Sequence, residues 1–177
     1  MKIESYSHQN SLSLFSVALR HLQPFNRMRK EDIMDIEKVR DFANQNPVCW
    51  LSTAEGDLPH VRGMLMWFAD ETGFYFHTGS VKQLYQQMKK NCHVEVAFHH
   101  LDAHNNASVM IRVAGKVEFV RANGLQDRLL RERPFLQDVV QHMSDGKLII
   151  FKIATGEAQF WDMSVNCREK EQPRIRF

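Results

Sequence analysis

The chain has 177 residues, of which 44% are hydrophobic and 25% charged. That is a globular composition, and it excludes a disordered, collagen-like or coiled-coil protein. Lys and Arg number 23 against 21 Asp and Glu, a formal net charge of +2, too balanced for a broad nucleic-acid or anionic-membrane surface. Any bound anion therefore needs a small local site. Cys49, Cys92 and Cys167 form neither a CxxC pair nor an even disulfide set, the pattern of a reducing compartment, so the cytoplasm is expected.

No run reaches the ~20 apolar residues of a membrane helix. The nearest, Leu12 to Leu22, is broken by Arg20 and His21, and Lys2 is the only cation of the preceding n-region, a poor signal peptide. Residues 1–30 are expected to form a weakly ordered extension or to lie upstream of the functional start, and 31–177 a single domain. Ile33, Ile36, Val39 and Phe42 repeat at helical spacing behind Glu31, Asp32 and Asp35, acids suited to a first turn. Strands follow at Val48 to Thr53, His60 to Ala69 and Phe74 to Thr78, joined by turns too short for a parallel crossover. A helix is expected from Val81 to about Asn91, then strands Val94 to Phe98 and Val109 to Val120. A helical region from Asn123 to His142 is interrupted at Pro134, and two last strands, Lys147 to Ala154 and Glu157 to Asp162, are joined at Thr155-Gly156. The layout is α+β with an antiparallel β-barrel core. Gly115, inside the longest strand, marks a bulge or a barrel corner.

The chemistry concentrates between Pro59 and Asn91. Alternation puts Arg62, Met64, Met66 and Phe68 on one face of a strand. An apolar face makes an unpaired guanidinium costly, so Arg62 needs a neighbouring carboxylate or a bound anion. Thr78-Gly79-Ser80 ends a strand and opens a helix, and Lys82 falls in its first turn. Hydroxyls, free N–H groups and the helix dipole there favour phosphate. Ser80 to Gln83 also reads S-x-x-Q, a capping box that accounts for Ser80 alone. Together Arg62, Thr78 and Lys82 point to a phosphate site. By the same alternation His77 faces away from Thr78.

The order P-H-V-R-x-M, F-Y-F-H-T-G-S-x-K, Q-L-Y-Q-Q-M-K-K-N, H-V-E-V-A-F, I-R-V-A-G-K-V-E-F-V and G-E-A-Q-F-W-D-M resembles the FMN-binding split β-barrel family, the pyridoxamine 5'-phosphate oxidase-like proteins, over about Asp35 to Phe177. The resemblance implies a split β-barrel with flanking helices, and a homodimer with FMN across its interface. It implicates Arg62, Thr78, Ser80 and Lys82 for the phosphate, Met64 for the isoalloxazine edge, and Trp161 near the cleft. Val81 stands where the family often has Arg or Lys, so one phosphate contact is missing. The tail CREKEQPRIRF lacks the Arg-x-His motif of the vitamin B6 oxidase, so that activity is not expected. The implied function is an FMN-dependent oxidoreductase using NAD(P)H or another donor and a small-molecule acceptor, with no catalytic acid or base identifiable. The alternative is a non-catalytic flavin- or haem-binding barrel. His99, His100 and His104 in F-H-H-L-D-A-H-N-N read as a polar loop without a recognised metal spacing, and with His142 they are the candidate haem ligands. No metal is expected, nor any nucleic acid or membrane partner.

Overall fold

The computed structural model describes residues 35–102, 107–142 and 146–177, all of which fall in one unit, 34–177. The expected extension over residues 1–30 lies outside the described residues. Helix α1, Ile36–Gln45, is followed by strands β1 (Val48–Glu55), β2 (Leu58–Leu65), β3 (Phe68–Asp70) and β4 (Gly73–Gly79). Then come α2 (Gln83–Lys90), β5 (His93–Asp102), β6 (Ala107–Val120), α3 (Leu125–Glu132), α4 (Phe135–Gln141), β7 (Leu148–Asp162) and β8 (Ile175–Arg176). The strands form one antiparallel sheet in the order β2-β1-β5-β6-β7-β4-β3, with β8 paired to β7. The sheet does not close on itself, and the architecture is the α+β split barrel expected.

Each element follows from local chemistry. Asp35 caps α1 by accepting from the Lys38 N–H at 2.9 Å, and Val39, Phe42 and Ala43 bury the face at helical spacing. Strand β4 is covered on both sides. Phe74 and Phe76 point into the main core with Leu51, Val96, Phe98 and Phe151, while Tyr75 packs in a second cluster with Leu129, Leu136 and Ile150 beneath α3 and α4. Each fully buried Phe contributes about 1.5–3 kcal/mol, so β4 is pinned in the middle of the molecule and fixes where its C-terminal end emerges.

Several boundaries differ from the sequence reading. The expected strand over His60 to Ala69 is two strands, because the chain breaks at Met66 and Trp67, whose N–H groups bond the Pro47 and Tyr75 carbonyls. The residues read as a polar loop at His99 to Asp102 belong to β5, paired with β6 as far as Asp102↔Ala107. His104 lies outside the described residues. The expected turn at Thr155-Gly156 is absent, and β7 runs through it. Gly156 pairs with Gly115 across the β6–β7 ladder, and a Cβ on either would collide with backbone of the facing strand. These paired glycines allow the strands to approach closely at a bend rather than to reverse. The bulge expected near Gly115 appears as a register shift between Lys116 and Val117. Pro134 separates α3 from α4 as expected, since it lacks the N–H a continuous helix would use.

Candidate phosphate and flavin site

Arg62 lies on the inward, half-buried face of β2 with Met64. Its guanidinium donates to Thr53 Oγ1 of β1 at 2.9 Å and to Gln87 Oε1 of α2 at 2.8 Å. The Thr53 hydroxyl also donates to Gln87 Oε1, at 2.7 Å. Gln87 is held in turn by Glu55, which accepts from its amide at 3.4 Å and from Lys90 at 2.7 Å. Neither Thr53 nor Gln87 is charged, and among the described residues no ion pair involves Arg62. Burial alone acts on its pKa, and lowers it. The partner that the sequence required is therefore two neutral acceptors rather than a carboxylate, which fixes the guanidinium without neutralising it. Thr53 and Gln87 were not singled out from the sequence. Leu84, Gln87 and Met88 are the buried positions of α2, and an amide on that apolar face is the signal that could have found Gln87.

The turn after β4 departs from the expected capping box. Helix α2 begins at Gln83, with Lys82 as its N-cap in extended backbone and no side-chain cap. The Ser80 hydroxyl instead accepts from the Lys147 N–H at 2.8 Å, while the Ser80 N–H donates to the Lys147 carbonyl at 2.9 Å. Ser80 is thus drawn to the start of β7, leaving the first turn of α2 without a capping oxygen and Lys82 just outside the helix. The Lys82 side chain is exposed and makes no hydrogen bond or ion pair among the described residues. Thr78 ends the inward row of β4 after Phe74 and Phe76. It is 4% exposed, and its Oγ1 is buried without a hydrogen-bond partner. A hydroxyl left in that state costs about 1–3 kcal/mol unless a ligand meets it.

His77 lies on the opposite face of β4, as the alternation required. Its Nε2 is 2.7 Å from Arg133 Nη1, and Arg133 also donates to the carbonyls of Leu65 at 3.1 Å and Met66 at 2.6 Å. Burial first, then the charges of Arg133 and Lys82, push the His77 pKa down to about 4, so the ring is neutral at physiological pH. Arg133 ties the end of α3 to the β2–β3 junction. It follows α3 directly before Pro134, and nothing in the sequence marks it.

Met64 is half-buried against the main core, and its carbonyl lies 3.5 Å from Cys49 Sγ. Trp161 is elsewhere. It pairs with Met110 near the C-terminal end of β7, whereas Thr78 pairs with Ile149 near the beginning, up to about 40 Å of strand at ~3.3 Å per residue. The structure therefore places Thr78, Ser80 and Lys82 at one turn and bonds Arg62 of β2 to Gln87 of the helix that follows that turn, whereas Trp161 lies at the far end of β7. His99 Nε2 bonds Ser108 and His100 Nδ1 bonds Asn46. Among the described residues no three His, Cys, Asp or Glu side chains form a metal-holding group, and no helix is long and apolar enough to cross a membrane.

Comparison with known proteins bears on the fold and the family. A solved NimC/NimA family protein from Clostridium acetobutylicum superposes with a TM-score of 0.62 at 20% identity, covering 80% of this chain and 92% of that one. A FAD-binding protein from Mesorhizobium loti gives 0.55 at 16% identity, covering 73% and 95%. HutZ, the heme storage protein of Vibrio cholerae, gives 0.51 at 11% identity, covering 68% and 90%. None of the curated proteins matches the chain. Such distant likenesses establish the fold alone, but the family model for pyridoxamine 5'-phosphate oxidase matches residues 36–162, and with that span of the chain matched the protein belongs to the pyridoxamine 5'-phosphate oxidase family.

Proposed function

We propose that the protein is an FMN-binding oxidoreductase that works as a homodimer in the cytoplasm, passing electrons from NAD(P)H or another donor to a small-molecule acceptor. The observation that carries this reading is the orphaned Thr78 hydroxyl, buried at the end of β4 beside an uncapped helix start. Together with the un-neutralised Arg62 it fits a dianionic phosphate. Arg62 and Lys82 would supply charge, Thr78 and Ser80 hydroxyl donors, and Met64 with the adjoining β2 backbone an apolar edge for the ring. Bound FMN supplies reversible transfer of one or two electrons. The protein's part is to fix the phosphate and exclude water from the ring.

One feature supports a dimer. The outward sheet face carries Val48, Trp50, Val61 and Leu65 at 60%, 47%, 65% and 43% exposure, joined by the pairs Val48↔Leu65, Trp50↔Gly63 and Ser52↔Val61. A second copy that covered them would bury a continuous apolar patch. Trp161 lies at the far end of β7 from Thr78, so a part for it in the FMN site would require a second copy.

The test is the spectrum of the purified protein. Flavin bands that NAD(P)H bleaches and an acceptor restores support the enzyme. Bound flavin that no donor reduces would make it a binding protein. The second reading, haem binding without turnover, is favoured by the structural likeness to a protein described as storing heme. A Soret band in place of flavin bands would decide for it. Sedimentation as a monomer would refute the dimer.

A further inference from the structure

A cavity of about 710 Å³ opens where β6 ends and β7 begins, within the size range of small-molecule sites. The last rung of the ladder there is Val120↔Ile150, so Arg121 and Lys147 leave two adjacent antiparallel strands at the same end and both line the cavity. Neither side chain has an ion pair or a hydrogen-bond acceptor among the described residues, and no described lining residue is acidic. Two of the lining residues are aromatic. Tyr85 of α2 meets Phe119 of β6 edge to face, with ring centroids 5.1 Å apart and planes at 70°, and Phe119 is 36% exposed. Lys89 stands 5.0 Å from the Tyr85 ring centre on α2, adding to the positive field. Gln126, in the first turn of α3, supplies an amide that can donate or accept.

We propose that this cavity is a second ligand site, distinct from the FMN site, for a small molecule with a planar ring and an anionic group. The ring would lie against Tyr85 and Phe119, and the anion between Arg121 and Lys147. Stacking on aromatic edges and charge-assisted bonds to two cations act on different parts of such a ligand, so both are needed for selectivity. The assignment does not rest on the flavin reading. Of the residues assigned to FMN only Ser80 lines the cavity, and its two hydrogen bonds to the Lys147 backbone, one through the Ser80 hydroxyl and one through its N–H, make the two sites neighbours.

Titration of the full chain with 8-anilinonaphthalene-1-sulfonate, a ring bearing one anion, tests this by fluorescence. Saturable binding at one probe per chain, unchanged by excess FMN and weakened about tenfold or more in the Arg121→Ala/Lys147→Ala double variant, is the expected result. Both replaced side chains are exposed, so an unchanged circular dichroism spectrum accompanies it. Equal affinity in the double variant overturns the site, and displacement of the probe by FMN overturns its independence. Competition with 1-naphthoate and with 5'-AMP identifies the source of the chemistry. Displacement by either supports the assignment and separates an aryl acid from a nucleotide, whereas displacement by neither overturns it.

Discussion

Replacing Thr78 with Val should stabilise the flavin-free protein and weaken its hold on FMN, two effects of opposite sign from one atom. The Thr78 side chain is 4% exposed and its Oγ1 has no partner. Valine keeps the branched shape at the end of a buried strand and has at least equal β-propensity. Removing an unsatisfied buried hydroxyl recovers about 1–3 kcal/mol, and for a domain of this size each kcal/mol raises Tm by about 2–4 °C. If the hydroxyl donates to phosphate in the complex, the same change removes a bond to a charged group. That bond contributes about 1.5–3 kcal/mol, or about 10- to 150-fold in affinity. Thermal unfolding of the flavin-free protein gives the first quantity and flavin-fluorescence titration the second. Thr78→Ser, which keeps the hydroxyl, should retain FMN binding. A lower Tm for the valine variant would show that the hydroxyl is satisfied in the native protein. An unchanged Kd would remove Thr78 from the phosphate site.

Arg62→Ala and Lys82→Ala should each weaken FMN roughly tenfold or more by the same titration, and unchanged affinity in both would refute the site. His77, held neutral with its pKa pushed down to about 4, takes up its proton more readily when unfolded. Its contribution to stability is therefore complete above about pH 6.5 and is lost as pH falls through about 4. His77→Gln should flatten that part of the acid unfolding profile, and an NMR titration showing the ring protonated near pH 6.5 would contradict the burial argument. Burial pushes the Cys49 thiol up to about 12, whereas Cys167 is exposed. Mass spectrometry after brief alkylation should find Cys167 modified and Cys49 intact until the protein unfolds.

What the sequence revealed depended on whether the cause was local. Alternating Phe74, Phe76 and Thr78 against Tyr75 and His77 gives the two faces of β4 directly, because the strand period is fixed by backbone geometry. The bend near Gly115 was legible because a glycine in a long strand has few other uses. Gly156, in contrast, resembled a turn. Its role depends on lying opposite Gly115, a pairing set by register over the whole β6–β7 ladder. Ser80 misled for a related reason. The capping-box spelling is local, but Lys147, distant in sequence, takes the hydroxyl. Arg133 was invisible, since its partners lie at the β2–β3 junction and on β4 and only the packing of α3 brings them within reach.

The partners of Arg62 bear most directly on function. A carboxylate opposite it would have given a structural ion pair, and an incoming phosphate would then have had to compete with a fixed negative charge. Thr53 and Gln87 orient the guanidinium with two bonds and leave its charge uncompensated. Glu55 is near enough to hold the Gln87 amide, yet its ion-pair partner is Lys90. The acid is thus diverted by a cation one turn along α2 from Gln87. Lys90→Ala frees Glu55 to act on Arg62 through Gln87, so a residue outside the phosphate site should lower FMN affinity. Restoration of that affinity in the Lys90→Ala/Glu55→Gln double variant would identify the Glu55 charge as the cause.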